Sequence, residues 1–432
     1  MSGTPDIYEE LLPAALNGDI EIQFNLGLRF ESGDGVDIDT EQAVFWFRQA
    51  ADKGHIEAQC HLGALLLQGE GGEQDFRQAL QWLRKAAETG HADTQFYLGW
   101  MLQQGKGTAV DLQQAAVWFE RSAKQGNLDA TYNLGCCYYD GLGVDADPAQ
   151  AIHWWHIAAE SGHPDAQHNL GCAFQAGIGT NADMVQAVTW WQKAAEQKHA
   201  DAEFNLGLAC EYGIGIKQNS TSALKWYALA AEQDHPLAQC RLGDMYRDGT
   251  GTEANPETAV HWYQLASEAG NSTAIFNLAQ AYQEGHGVEQ NLNKAVELYQ
   301  KAATLDNADA LFSLGCLYQE GIMVEQDAVK AAQYWQRAAE LDKPEAQHNL
   351  ALCYEYGFGF GVAKDMAQAF QWYEKAAKNG HPDSQFTMGM AYEQGITVKK
   401  DPIKAQVWYR CAAEQGHQAA LDKLMAMRDG GM

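Results

Sequence analysis

Two stretches near the middle of the chain decide its fold: Ala202-Glu-Phe-Asn-Leu-Gly-Leu-Ala-Cys-Glu-Tyr-Gly213 and Ala223-Leu-Lys-Trp-Tyr-Ala-Leu-Ala-Ala-Glu232. In both stretches small or apolar residues recur at helical spacing. The first stretch ends in a glycine, the residue that most readily closes a helix in the left-handed conformation. Asn219 lies between the two, and asparagine is a favoured cap of helix N-termini. The sequence here predicts two helices joined by a short turn.

The same pattern recurs every 36 residues along most of the chain. Eleven full copies run from about Ile22 to Ala419, and the insertion in Gly357-Phe-Gly-Phe-Gly361 lengthens the tenth copy to 38 residues. One helix pair cannot bury its own apolar face, so the copies must stack on one another. One register of the first helix holds Ala279 and Ala351 in two copies and otherwise glycine, at Gly27, Gly63, Gly99, Gly135, Gly171, Gly207, Gly243, Gly315 and Gly389.

The repeat divides the chain into residues 1–21, 22–419 and 420–432. Tyr8 to Asn17 matches the second helix of a copy that lacks its first, and Ala420 to Arg428 matches the first helix of a copy that lacks its second. We therefore expect eleven repeats flanked by two capping helices. The predicted fold class is all-α, a solenoid of antiparallel helix pairs.

Fixed columns within the repeat predict how the helices begin and pack. Asp or Asn precedes every second helix, an all-Ala column (Ala43 to Ala405) follows, and a tryptophan column beginning at Trp46 lies one turn further on. Large side chains opposite small ones allow neighbouring helices to interdigitate. Histidine recurs just before the first helix, where its side chain is expected to cap that helix rather than bind a metal.

Composition excludes several classes of partner. The chain of 432 residues has 57 acidic and 29 basic residues and a formal net charge of −28, which disfavours nucleic acid and anionic membranes. Met1 to Asp6 lacks the features of a secretory signal, and no apolar stretch approaches the roughly 20 residues that span a bilayer. Nine cysteines without paired spacing suit a reducing compartment, so we expect a cytoplasmic protein.

The string A-x-x-N-L-G-x-x-Y-x-x-G-x-G-V, followed by A-x-x-W-Y-x-K-A-A-E-x-G-H, resembles the Sel-one-like repeat, a relative of the tetratricopeptide repeat. Asp201 to His235 is one good example. The resemblance implies a right-handed superhelix with the first helices lining a concave groove, and an adaptor or scaffold role. Related secreted bacterial members pair cysteines within a repeat, and this sequence lacks that spacing.

The candidate binding residues lie on the first helix, whose positions we count from the small residue equivalent to Ala58. Positions one, five and eight are expected in the core, and positions three, seven and ten form a second stripe that faces the groove by analogy with tetratricopeptide repeats. Position seven is irregular, which suggests that stacking does not set it, and Trp100 is its most prominent residue. Positions ten and eleven are rich in acidic residues. The predicted groove residues are Phe96, Trp100, Tyr132, His168, Phe204, Leu208, Glu211, Asp244, Asp248, Phe276, Glu284, Phe312 and Glu320.

Each of these assignments has a structural alternative. The position-three aromatics suit packing against the next repeat, Trp100 suits local burial, and the acidic residues suit a solvated surface. Phe358 and Phe360 in the lengthened loop are predicted either to contact a partner or to fold back onto the tenth repeat.

Other chemistry finds little support in the sequence. His153 and His156 have a spacing that suits a metal, but no third ligand is apparent. Ser222-Ala-Leu-Lys225 matches the S-x-x-K pattern of β-lactam-acylating enzymes without the motifs that accompany it there. We therefore predict no catalytic residue, no cofactor and no metal site.

The predicted function is a scaffold or adaptor that binds a peptide or protein segment, with basic and apolar residues, in its concave groove. A structural spacer or a self-assembling scaffold, acting through its caps or convex face, is the alternative. An enzyme of the β-lactam-acylating type is the least favoured reading. The sequence does not define the oligomeric state.

Overall fold

The computed structural model describes residues 7–357 and 361–429, which form 24 helices and no strand, as the all-α prediction requires. Most helices have 13 residues. In chain order they are α1 (Ile7–Leu16), α2 (Ile20–Ser32), α3 (Thr40–Asp52), α4 (Ile56–Gln68), α5 (Phe76–Glu88), α6 (Ala92–Gln104), α7 (Leu112–Ala123), α8 (Leu128–Asp140), α9 (Pro148–Glu160), α10 (Pro164–Ala176), α11 (Met184–Glu196), α12 (Ala200–Tyr212), α13 (Ser220–Glu232), α14 (Pro236–Asp248), α15 (Pro256–Glu268), α16 (Ser272–Glu284), α17 (Leu292–Thr304), α18 (Ala308–Glu320), α19 (Ala328–Glu340), α20 (Pro344–Tyr356), α21 (Met366–Lys378), α22 (Pro382–Gln394), α23 (Pro402–Glu414) and α24 (Gln418–Asp429).

The helices form two compact units, Met1–Gln218 and Asn219–Met432. The even-numbered helices α2 to α22 are the first helices of the repeats, and the odd-numbered helices α3 to α23 are the second helices. Within each unit a first helix packs against the second helix of its own repeat, and that helix packs against the next first helix. Helices α1 and α24 lie where capping helices were predicted, and their capping role stays a prediction.

The helix ends follow the predicted capping chemistry. The carboxylate of Asp39 accepts a hydrogen bond from the Gln42 N–H (3.0 Å) at the start of α3. His55 caps α4 through Nδ1, which accepts from the Ala58 N–H (3.2 Å). The first helices end at left-handed glycines such as Gly69 (φ 80°).

The lengthened loop of the tenth repeat departs from this rule. Gly357 closes α20 with φ 89° and ψ −141°, outside the left-handed helical region that the other closing glycines adopt. The two phenylalanines predicted to contact a partner, Phe358 and Phe360, lie outside the described residues.

The core forms where the first helix meets the second. Positions one, five and eight are buried as predicted, for example at Ala58, Leu62 and Leu65, except that Ile22 and Arg29 of the first repeat are only partly buried. Position six lies beneath a large residue of the second helix, and a β-carbon on Gly135 would overlap the indole of Trp155. Glycine therefore sets how closely the two helices approach. The same contact joins Gly27 to Phe47, Gly63 to Leu83, Gly99 to Phe119, Gly171 to Trp191, Gly243 to Tyr263, Gly315 to Trp335 and Gly389 to Tyr409.

The tryptophan column is less buried than the sequence suggested. Trp46 and Trp190 are buried, but Trp82 and Trp118 are half-exposed, and the fully buried residue is the next one along the helix. Basic side chains cover several of these rings: Lys85 Nζ lies 4.1 Å from the centroid of the Trp82 ring. The column therefore contributes to the surface as well as to the packing.

A buried glutamine at position two joins consecutive repeats and was not anticipated. Gln59 Nε2 donates to the carbonyl oxygen of Ala51 (3.1 Å) in the last turn of the preceding second helix. This bond adds a second donor to a carbonyl of the last helical turn, which also accepts from the Gly54 N–H (3.0 Å). The same bond is made by Gln23, Gln95, Gln167, Gln239, Gln347 and Gln385.

Candidate binding face of the first helices

The predicted binding residues lie along one stripe of the first helices, at positions three, seven, ten and eleven. We call this surface, together with position four, the first-helix face. Phe96, Trp100 and Tyr132 are half-buried there, whereas Asp248 and Glu320 are exposed. The stripe thus combines aromatic side chains between the helices with carboxylates at their C-terminal ends.

Position-three side chains pack on the histidine that caps the next first helix. The rings of Phe24 and His55 stack with centroids 4.3 Å apart, and those of Tyr132 and His163 with centroids 4.8 Å apart. Each of these position-three rings therefore packs one of its faces against the neighbouring repeat. Similar stacks join His168 to His199, His348 to His381 and Phe386 to His417.

The capping histidines also reach the preceding repeat. His163 Nδ1 accepts from the Ala166 N–H (3.3 Å), so the proton of the neutral ring resides on Nε2, which lies 3.3 Å from Asp129 Oδ1. This imidazole caps one helix and bridges to another. The predicted capping role of the histidine column is confirmed.

In three repeats the residue at position seven is matched to the large residue of the second helix. Wherever that residue is tryptophan, position seven is cysteine, and the thiol lies against the indole N–H. This N–H has no oxygen or nitrogen acceptor among the described residues. Burial raises the pKa of these thiols, which therefore stay neutral. The pairs are Cys136 with Trp155, Cys172 with Trp191 and Cys316 with Trp335.

Asp244 also pairs with the large residue of its second helix. It occupies position seven opposite Tyr263, whose hydroxyl donates to Asp244 Oδ1 (2.8 Å), and Asn277 Nδ2 donates to the same oxygen (2.9 Å). Burial raises the pKa of this carboxyl. Asp244 therefore has internal partners, which favours a role in packing for this predicted groove residue.

The acidic residues at positions ten and eleven differ in their partners. Asp248 is bound by Arg247, with Nε to Oδ1 at 2.8 Å, and this hydrogen bond lowers the pKa of Asp248. Glu284 lies 3.1 Å from His286 Nδ1. Glu320 is exposed, and no ion pair or hydrogen bond of its side chain is found among the described residues.

Open cavities recur between consecutive first helices. The cavity between α8 and α10 has a volume of about 510 Å³, and that between α14 and α16 about 150 Å³. A third lies between α20 and α22, with a volume of about 170 Å³. Each is bounded by position ten of one first helix, the large residue of the intervening second helix, and positions four, seven and eight of the next first helix.

The structure places the predicted residues in different surroundings. Tyr132 lines the cavity between α8 and α10. Trp100 does not line it and packs against the core around Leu98 and Met101. The binding roles of these residues stay predictions.

The same cavity is lined by residues that the sequence analysis did not single out, among them Tyr139, Trp155 and Asn169. One signal for them was available, since Tyr139 is an aromatic residue in a position-ten column that elsewhere holds leucine, glutamine, glutamate or arginine.

The residues of the S-x-x-K motif and of the histidine pair in α9 are exposed or make only local contacts. Ser222 lies in the first turn of α13 and its N–H donates to the Asn219 side chain, and Lys225 is exposed. His153 is also exposed, and His156 lies 3.6 Å from Glu160.

One cluster of possible metal ligands occurs within the described residues. It consists of His348, His381 and Asp383, whose donor atoms lie within 4.8 Å of one another. The two imidazole rings are stacked at 16°. Their in-plane lone pairs therefore run side by side and do not converge on one ion. His381 Nδ1 is also engaged in capping α22. This arrangement does not fit a metal.

None of the helices within the described ranges combines the length and the apolar character that a membrane crossing requires.

Comparison with known proteins identifies the repeat. The Sel1 repeat family model matches eleven consecutive segments from residue 21 to residue 417. No curated protein matches the chain. Among solved structures, the chain is similar to c5321, a protective antigen present in uropathogenic Escherichia coli strains that displays an SLR fold, with 32% identity, 98% of this chain and 90% of that chain covered, and a TM-score of 0.79. It is also similar to a Sel1 repeat protein from Oxalobacter formigenes, with 32% identity, 73% and 92% of the two chains covered, and a TM-score of 0.59. The chain belongs to the Sel1 repeat family, whose helical-repeat folds are generally scaffolds for protein interaction.

Proposed function

We propose that this protein is a scaffold that binds a peptide or protein segment along its first-helix face. The observation that carries this proposal is the recurrence of a cavity in one register, between α8 and α10 in the first unit and between α14 and α16 and between α20 and α22 in the second. Within the second unit, two such cavities suit an extended segment that contacts several repeats, whereas a small molecule would need one closed pocket.

The partner that suits this face combines apolar and basic residues. The cavities have aromatic or aliphatic walls, and the exposed carboxylates of Asp140 and Glu284 line two of them, in a chain with a net charge of −28. Electrostatic complementarity of this kind raises association rates and selects against acidic partners. We place the encounter in the cytoplasm, because all nine cysteines are free thiols, as a reducing compartment requires.

A second candidate function is self-assembly through the ends, favoured by one observation. Helix α24 exposes Leu421 and Met425 on neighbouring turns. Concentration-dependent sedimentation of the full chain tests this alternative. Self-association that is abolished in a Leu421→Lys, Met425→Lys variant would support it.

The proposed binding face can be tested by photo-crosslinking in the native cell. A benzophenone amino acid replaces Gln175, which is exposed on the first-helix face, or Gln113, which is exposed on the second helix α7. We expect a discrete crosslinked protein from the Gln175 position and none from the Gln113 position. Crosslinks confined to the Gln113 position would overturn the assignment of the face.

Trp100 provides a mutational test of the same proposal. Leucine occupies the equivalent position seven at Leu28, Leu208 and Leu352, so Trp100→Leu should retain packing while removing the aromatic surface. If Trp100 is an anchor, the crosslinked partner should bind the variant more weakly by about 2 kcal/mol, with little change in melting temperature. An unchanged affinity with a lower melting temperature would assign Trp100 to packing alone.

A further inference from the structure

We infer that the cavity between α8 and α10 receives an arginine or lysine side chain of the bound segment, with Asp140 as its counterion. The inference rests on the proposed function, because it assumes that the segment runs along the first-helix face. Asp140 lines the cavity at position eleven of α8, beside Tyr132 and Tyr139. Trp155 of α9 lines it as well.

The aromatic side chains provide a surface for the stem of a basic residue. The rings of Tyr139 and Trp155 lie with centroids 5.3 Å apart and planes inclined by 40°. Trp155 is 4% exposed, whereas Tyr139 is 41% exposed and presents its ring to solvent. The methylene stem of arginine or lysine packs well on such a ring, and the cationic head is attracted to its face.

Asp140 lacks the partner that its equivalent in another repeat possesses. Among the described residues no hydrogen bond or ion pair of its side chain is found. In the seventh repeat the equivalent carboxylate, Asp248, is bound through two oxygens by Arg247, which takes the position equivalent to Tyr139. The seventh repeat thus contains a position-eleven carboxylate paired with a cation, which is the proposed interaction, whereas the fourth repeat contains only the carboxylate.

The chain supplies no cation of its own to this cavity. No lysine, arginine or histidine among the described residues lines it, whereas the cavity between α14 and α16 is lined by Arg247 and His286. The two thiols that line it, Cys136 and Cys172, have pKa values raised by burial and carry no charge. An apolar occupant would cover Asp140 without pairing it, which is costly, and a cation removes that cost.

The test uses a random peptide library displayed on phage, selected against the full chain. Selected peptides are synthesised, and their affinities are measured for the natural chain and for three variants. Asp140→Asn removes the charge. Tyr139→Arg supplies an internal cation as in the seventh repeat. Glu196→Gln removes the same charge at an exposed position of the second helix α11, outside the first-helix face, and serves as the control.

We expect the selected peptides to share an arginine or lysine, and to bind Asp140→Asn and Tyr139→Arg at least about tenfold more weakly than the natural chain. Binding to Glu196→Gln should be unchanged, and melting temperatures should confirm that all variants fold. Equal losses in Asp140→Asn and Glu196→Gln would reveal general electrostatics and overturn the assignment of this cavity. Selected peptides whose affinity is unchanged by both Asp140→Asn and Tyr139→Arg would also overturn the assignment of this cavity. They would leave the scaffold function in place. A library that yields no binder to the natural chain would count against the scaffold function as well.

Discussion

His348 shows how one residue can change the chemistry of a repeated contact. It occupies position three, where most repeats have phenylalanine or tyrosine, and it stacks on His381. Its Nδ1 lies 2.8 Å from the hydroxyl of Ser384, a residue that replaces the usual alanine at position one. Burial, together with the adjacent imidazole, lowers the pKa of His348 from 6.5 to about 4.

This shift predicts a stability that depends on pH. As pH falls, the unfolded chain binds a proton near pH 6.5, but folded His348 does so only near pH 4. The contribution of His348 is therefore fully present above the unfolded pKa and is lost as pH falls through that window. In a His348→Phe variant we expect a smaller drop in melting temperature between about pH 7 and about pH 5 than in the natural chain.

Replacement of the exposed His153 by phenylalanine is the control for this experiment. It should leave the pH dependence of the melting temperature unchanged. A His348→Phe variant with the same pH dependence as the natural chain would contradict the proposed titration of His348.

At the scale of the helix, α20 differs from the other first helices with described caps. It begins after Lys343, whose side chain makes no capping hydrogen bond, whereas α8 begins after Asn127, which accepts from the Ala130 N–H (2.8 Å). Lys343 Nζ instead lies 2.7 Å from Asp309, in the preceding repeat. The bridge between repeats is thus retained while the cap is lost, and a positive charge lies at the unfavourable end of the helix dipole.

Restoring the cap should stabilise the protein. In a Lys343→Asn variant the amide can accept from the first turn of α20 and donate to Asp309, as Asn127 does to Asp93 (2.8 Å). We expect a gain of about 1 kcal/mol, seen as a higher midpoint of denaturant unfolding. Lys343→Ala, which loses the ion pair without gaining a cap, should not be stabilised. Equal behaviour of the two variants would show that the cap contributes nothing.

At the scale of the whole molecule, the net charge of −28 governs encounters with partners. Long-range attraction increases the association rate of a cationic segment, and salt screens that attraction within about 10 Å at 0.1 M. Some acidic residues of the first-helix face are neutralised locally, as Asp248 is by Arg247, but the overall field remains negative.

The association rate of the selected basic peptides should therefore fall as ionic strength rises, while their dissociation rate changes little. Stopped-flow fluorescence at several salt concentrations measures both rates. Peptides in which citrulline replaces arginine provide neutral controls and should show a weaker salt dependence. Association rates of the arginine peptides that are independent of salt would remove the electrostatic basis of the proposed partner.

The sequence by itself determined the helix pairs, their caps and the glycine register. These features depend on contacts within about one helical turn and on backbone conformations that few residues adopt, so Asp39, His55 and Gly69 reveal them directly. The buried core positions followed from the same periodicity, as Ala58 and Leu62 show.

Only the tertiary structure decided which residues of the first-helix face already have partners within the protein. Cys136 meets Trp155 across two helices, Tyr132 meets His163 across two repeats, and Arg247 neutralises Asp248 while Asp140 stays unpaired. The partners of Cys136 and Tyr132 are distant in sequence, and Asp140 differs from Asp248 only in the residue beside it. Local periodicity therefore does not predict these contacts. A column that varies along the sequence can therefore reflect either binding or packing, because both depend on what lies opposite the side chain in space.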